Sequence, residues 1–117
     1  MKIYTLEATQ STPYIYFDPT SGRLEIMGRS IPENSVAFYK PLFEALDAYA
    51  GNPAKGLHTV IQLEYYNSSS SVCILNLLKK LEALKNKVSD MTIAATLQQP
   101  NSITSIGSHF KILPAYP

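Results

Sequence analysis

Thr59-Val60-Ile61-Gln62-Leu63-Glu64-Tyr65-Tyr66-Asn67-Ser68-Ser69-Ser70-Ser71-Val72-Cys73-Ile74-Leu75 passes from one hydrophobic periodicity to another within a single stretch. From Leu57 to Tyr65, β-branched and aromatic residues alternate as in a strand, and Val60, Ile61 and Leu63 suit a central position in a sheet. From about Ser69 to Asn86, Ile74, Leu75, Leu78 and Leu81 share one helical face, with Lys79, Lys80, Glu82 and Lys85 largely outside it. Asn67 and the four serines occupy the junction. The first N–H groups of a helix lack intrahelical partners, so Asn and Ser are favoured there as caps, and the same groups with the helix dipole favour an added anion. Consecutive hydroxyls at this place suit plain capping; they also suit a phosphate, which the helix accepts without unfolding.

Upstream of the junction the chain is β-rich. Short strands are predicted from Ile3 to Leu6, Tyr14 to Phe17 and Arg23 to Met27. Asp18-Pro19-Thr20-Ser21-Gly22 supplies the turn chemistry for a hairpin between the second and third, and Leu24 and Ile26 share a face. Gly28-Arg29-Ser30-Ile31-Pro32-Glu33-Asn34 reads as a strand-to-helix turn, with Ser30 to Glu33 at capping-box spacing and Asn34 or Ser35 as alternative caps. Phe38, Leu42, Leu46 and Tyr49 then form an apolar stripe that runs to Ala50, before Gly51-Asn52-Pro53 ends the helix. Pro41 requires this helix either to begin near Val36 or Ala37 or to bend.

Downstream, Met91 to Leu97 is a further strand, Gln98-Gln99-Pro100-Asn101 breaks it, Ser102 to Ser108 forms a short helical turn, and Phe110 to Leu113 a last strand. The order β-β-β-α-β-α-β-(α)-β predicts an α/β fold: a single-domain mixed β-sheet with packed helices over residues 1–117.

Composition excludes several classes. At 117 residues, 45% apolar and 16% charged, the chain is long enough to bury a core and is not that of a disordered protein. A formal charge of +1 gives no general attraction for nucleic acid or acidic membrane. The lysines of the second helix carry no interleaved aromatics, so they read as a solvated face. No run approaches the roughly 18 apolar residues of a membrane span, and the N-terminal residues lack a signal core, so cytoplasmic residence without direct membrane insertion is expected. Cys73, the single cysteine, lies among Val72, Ile74 and Leu75 and reads as a buried structural thiol.

No enzymatic constellation is evident: no Gly-rich phosphate loop, His-Glu-x-x-His, paired cysteines or Gly-x-Ser-x-Gly elbow. His58 and His109 are the two imidazoles. Either would have to reach the serine run to make a small serine-dependent hydrolase. Glu25, Glu33, Glu44 and Glu64 are scattered, and no cofactor or metal is implied.

Thr12-Pro13, Phe17-Asp18-Pro19, Gly22-Arg23-Leu24, Gly28-Arg29-Ser30-Ile31-Pro32-Glu33-Asn34 and Leu63-Glu64-Tyr65-Tyr66-Asn67-Ser68-Ser69-Ser70 together resemble, in order, the SiaC family of bacterial regulatory phosphoproteins. The resemblance runs from about Thr12 to Lys87. It implies a fold like that of STAS domains and anti-sigma-factor antagonists, and no catalysis by the chain. It further implies phosphorylation by a partner protein kinase, dephosphorylation by a PP2C-type phosphatase, and regulated binding of an output protein, in the family's namesake a diguanylate cyclase.

Carried across, the family's acceptor threonine in Asn-Thr-Ser-Ser falls on Ser68, with Asn67 before it and Ser69 and Ser70 after it. Ser68 is therefore the expected phosphoacceptor, Ser69 the alternative, and Asn67 and Ser70 the loop and cap of the site. Arg29, Glu33 and Asn34 are expected to dock a partner. Ala94-Ala95-Thr96-Leu97-Gln98-Gln99-Pro100-Asn101-Ser102 departs from the aromatic and acidic residues that relatives carry there, which alters charge complementarity toward a partner more than it alters the fold. Gly107, Phe110, Leu113 and Pro114 still resemble the family's closing segment. The functional expectation is a cyclic di-GMP signalling switch, with a phosphorylation-independent adaptor or a small hydrolase as the alternatives.

Overall fold

The chain reverses at Gly22, whose N–H donates to the Asp18 carbonyl at 2.9 Å and whose φ of 74° lies in the left-handed region that favours glycine. A side chain has no room there, since a Cβ would fall 1.7 Å from the Gly56 carbonyl oxygen. In the computed structural model, which describes residues 2–97 and 111–113, this reversal joins β2 (Tyr14–Asp18) to β3 (Arg23–Ser30) as an antiparallel pair. Before them runs β1 (Tyr4–Leu6). After them come α1 (Ser35–Gly51), β4 (Gly56–Tyr66), α2 (Ser68–Leu84), β5 (Asp90–Leu97) and β6 (Lys111–Leu113).

The six strands lie in the order of the sequence, antiparallel from β1 to β3 and parallel from β3 to β6. This is the mixed α/β sheet expected. Parallel neighbours need crossovers, and α1 and α2 supply them for β3 to β4 and β4 to β5. Both steps move the same way across the sheet, so right-handed crossovers bring both helices to one face. There they lie side by side, with Lys80 Nζ of α2 2.8 Å from Asp47 Oδ1 of α1. Burial alternates accordingly along β4: Leu57, Thr59, Ile61 and Leu63 are buried against the helices, while His58, Gln62 and Glu64 are exposed on the other face. The core is completed by Ile15, Phe17, Leu24 and Ile26 from β2 and β3, Tyr39, Leu42, Leu46 and Tyr49 from α1, and Ile74, Leu77, Leu78 and Leu81 from α2.

Several boundaries differ from the sequence reading, each for a physical reason. Strand β3 continues through Gly28, Arg29 and Ser30, where a turn was expected; its register on β4 shifts between Gly28 and Arg29, leaving Glu64 without an opposite residue. Gly28 takes φ 118° at this bulge. The extra residue changes the phase of β4, so Tyr66 rather than Tyr65 turns into the core and Tyr65 is left 42% exposed. Asn34, not Ser30, caps α1, its side chain accepting from the Ala37 N–H at 3.1 Å, because Ser30 still belongs to the sheet. Pro41 lies inside α1, in its second turn, since the helix starts at Ser35.

On α2 the buried stripe runs through Leu77 rather than Leu75, which is half-buried: the neighbouring α1 packs on the side that Cys73, Leu77, Leu81 and Leu84 share. Cys73 is buried as expected, and burial pushes its thiol up. The helical turn at Ser102 to Ser108, Phe110 of the last strand, Gly107, Pro114 and His109 lie outside the described residues. Among the described residues no helix is long and apolar enough to cross a membrane.

Candidate functional site

Parallel strands β3 and β4 deliver their chains to the same end of the sheet, so the first turns of α1 and α2 begin side by side. Each is capped by an asparagine. Asn67, with extended backbone, accepts the Ser70 N–H on its side-chain oxygen at 2.9 Å. Its own N–H donates to the Ser30 carbonyl at 3.1 Å, and its Nδ2 to the Pro32 carbonyl at 3.5 Å, which ties the cap to the end of β3 and the segment after it.

Between the two helix mouths runs a chain of hydroxyls. Ser30 Oγ lies 2.6 Å from the Tyr39 hydroxyl and donates to Ser70 Oγ at 2.8 Å. Ser35 Oγ lies 3.2 Å from Ser70 Oγ and 2.8 Å from Ser69 Oγ, and Ser69 donates to Asn67 Oδ1 at 3.2 Å. Each hydroxyl has one proton, and that count sets the direction of every link. Ser30 spends its proton on Ser70, so Tyr39 donates to Ser30. Ser69 spends its proton on Asn67, so Ser35 donates to Ser69 and Ser70 to Ser35. The result is a one-way sequence: Tyr39, Ser30, Ser70, Ser35, Ser69, Asn67. Such chains polarise one another, and a buried member left without its partner is costly. Tyr39, Ser30, Ser35 and Ser70 are all buried, and burial pushes the Tyr39 phenol up to about 12.

The four serines thus occupy different environments. Ser70 is 0% exposed and committed to the chain. Ser69 is exposed but is its last hydroxyl link. Ser71 donates to the Ser68 carbonyl at 2.7 Å. Ser68, the first residue of α2, is exposed, and its hydroxyl has no hydrogen bond among the described residues. A phosphoryl group on Ser68 replaces no hydroxyl proton of the chain, whereas one on Ser69 removes the proton that Asn67 receives. Among the described residues, two of the four exposed large apolar side chains flank this point: Val72, one helical turn beyond Ser68, and Val36, next to Ser35.

The remaining site residues are placed differently. Arg29 is exposed, its guanidinium 5.7 Å from the centroid of the Tyr65 ring, a cation–π contact and not a salt bridge. None of the hydrogen bonds or ion pairs among the described residues joins it to Ser68. Glu33 is exposed next to the capping Asn34. Sequence reading treated Ser30 and Ser35 only as candidate caps and Tyr39 not at all. The inward alternation Leu24, Ile26, Gly28, Ser30 was the available signal that Ser30 faces the helices.

The hydrolase alternative is corrected for His58. This residue stands near the start of β4, on the order of 25 Å of strand from the serines, and on the open face of the sheet. Its Nδ1 pairs with Thr92 Oγ1 at 2.8 Å and its Nε2 lies 3.5 Å from Asp90. Among the described residues no group of His, Cys, Asp and Glu is gathered for a metal ion.

Comparison with known proteins bears out the fold. The solved structure of SiaC of Pseudomonas aeruginosa superposes with a TM-score of 0.81 at 23% identity, covering 100% of this chain and 98% of that one. Apo-SiaC from the same organism gives 0.80 at 22%, covering 99% and 100%. A chain of the crystal structure of the diguanylate cyclase SiaD in complex with its activator SiaC gives 0.76 at 22%, covering 96% and 98%. At these identities the likeness establishes the fold. In sequence, an uncharacterized protein of Pseudomonas aeruginosa (strain UCBPP-PA14) is 32% identical over 77 residues; the match takes in 66% of this chain and spans 61% of that relative's length. The model of the SiaC family regulatory phosphoproteins matches residues 6–113. With its helix-mouth serines and nearly its whole length inside that match, the chain belongs to the SiaC family of regulatory phosphoproteins.

Proposed function

We propose that the protein is a cytoplasmic switch whose binding to a signalling partner is set by phosphorylation of Ser68. The observation that carries this reading is the contrast within the serine run: Ser68 alone combines exposure with a hydroxyl outside the hydrogen-bond network. A protein kinase transfers a phosphoryl group from a nucleoside triphosphate to Ser68 Oγ, whose proton leaves, and a PP2C-type phosphatase hydrolyses the ester with water. The modification adds about 1.5 to 2 negative charges beside Val36 and Val72. Exposed aliphatics suit a partner interface in the neutral state, and the charge disrupts such an interface by desolvation cost. The SiaC of Pseudomonas aeruginosa is described as an activator of the diguanylate cyclase SiaD, which supports a diguanylate cyclase as the partner here. Arg29, Glu33 and Asn34 border the same end of the sheet and extend the docking surface.

The test is peptide mass spectrometry on protein from its native cells, with and without phosphatase, followed by partner capture with wild type, Ser68→Ala and Ser68→Asp. A removable phosphate at Ser68 and different capture by the two variants are expected. Phosphate at Ser69 moves the site. No phosphate under varied growth conditions, with identical partners for all three proteins, overturns the reading in favour of a constitutive adaptor.

A further inference from the structure

We infer that Ser35 is a positioning residue of the switch, carrying the state of Ser68 from the mouth of α2 to the mouth of α1. The inference rests on the reading of Ser68 as phosphoacceptor. Its basis is the direction of the hydroxyl chain. Ser69 ends that chain by donating to a neutral acceptor, Asn67 Oδ1, at 3.2 Å. A phosphate on the adjacent Ser68 brings three acceptor oxygens and is largely the dianion at neutral pH. Hydrogen bonds to an ionised acceptor are roughly twice as strong as neutral ones, so the Ser69 proton turns from Asn67 to the phosphate.

Ser69 Oγ also receives the proton of Ser35 at 2.8 Å, and Ser35 in turn receives that of Ser70 at 3.2 Å. No member has a spare proton, so reorientation of the last hydroxyl is felt by the one before it. Ser35 is 2% exposed and is the first residue of α1, directly before the exposed Val36. Among the described residues, the side-chain hydrogen bonds that join α1 directly to the first turn of α2 are those of Ser35. The change at Ser68 therefore reaches the surface of α1 through one side chain.

The experiment uses the full chain with phosphoserine installed at position 68 during translation by suppression of a stop codon, compared with the unmodified chain by amide NMR. Modification should move the signals of residues 69–72 and also those of residues 35–39. In Ser35→Ala the first group should still move and the second stay in place; Ser35→Thr, which restores a hydroxyl, should bring the second back. Should Ser35→Ala fail to fold, Ser69→Ala cuts the same link from the exposed side with the same expectation. Signals of residues 35–39 that stay still in the otherwise unaltered chain, or that move equally without the Ser35 hydroxyl, overturn the relay. Because the phosphate is installed, the result does not depend on a kinase: absence of phosphate in native cells defeats the parent reading, and an unmoved α1 with phosphate present defeats this one.

Discussion

Ser35 and Ser69, 34 residues apart in sequence, share a 2.8 Å hydrogen bond that joins the first turns of the two helices. Around that bond a neutral chain of hydroxyls holds together the end of the sheet that carries Ser68. Its energetics are open to direct measurement.

Removing the Tyr39 hydroxyl takes away the first donor of the chain and leaves Ser30 Oγ without the proton it accepts. Tyr39→Phe keeps the ring, which packs edge-on to Phe38 at 4.9 Å. A loss of about 1 kcal/mol is expected from urea unfolding. A loss below the error of that measurement would mean the chain contributes no net stability.

The same phenol makes stability depend on alkaline pH. Its folded pKa of about 12 lies above the ordinary 10.0, so the folded state holds this proton more tightly than the unfolded state does. The contribution is fully present below pH 10 and is lost as pH rises from 10 to 12, by an order of 2 to 3 kcal/mol for Tyr39. Unfolding free energies across that range should fall with pH, and the slope should be shallower in Tyr39→Phe. Tyr49 and Tyr66, also raised by burial, keep it from vanishing.

Asn67 and Asn34 cap their helices in the same way, but Asn67 also accepts the Ser69 hydroxyl. Asn34→Ala should cost about 1 kcal/mol. Asn67→Ala should cost measurably more, toward 2 kcal/mol, because a second donor loses its partner. Equal losses in chemical denaturation would argue that the Ser69 link is energetically silent.

Leu77 is 0% exposed and Leu75 is half-buried. Leu77→Ala should therefore destabilise by about 2 to 5 kcal/mol and Leu75→Ala by half of that or less. Thermal unfolding of the two variants distinguishes this packing from the stripe that periodicity suggested.

Gly22 and Gly51 should respond to alanine in opposite directions. Gly22 combines φ 74° with a close approach to the Gly56 carbonyl, so Gly22→Ala strains the turn and costs more than about 1 kcal/mol. Gly51 ends α1 with nothing within 4 Å of an added Cβ, so Gly51→Ala should gain up to about 1 kcal/mol. Paired unfolding curves settle both signs.

Local chemistry was sufficient for much of the architecture. Alternation in β4, the Asp18 to Gly22 turn and the helical stripes follow from nearest neighbours along the chain and are legible in the sequence. So was the concentration of hydroxyls at a helix start, which marked the serine run as a site. What could not be read was which serine is free. Ser68, Ser69 and Ser70 are chemically identical in sequence, and they differ only because Ser30 and Ser35 arrive from other elements to engage two of them.

The same division explains the errors. A bulge opposite Gly28 moved Tyr66 inward, and the proximity of α1 chose Leu77 over Leu75; both depend on contacts between segments distant in the chain. His58 lies ten positions before Ser68, yet an extended strand holds the two at opposite ends of the sheet. Periodicity and turn residues act over a few positions and are written in order along the chain. The direction of a hydrogen-bond chain, the burial of a hydroxyl and the distance from a histidine to a serine are properties of the packed molecule, set when separate segments meet.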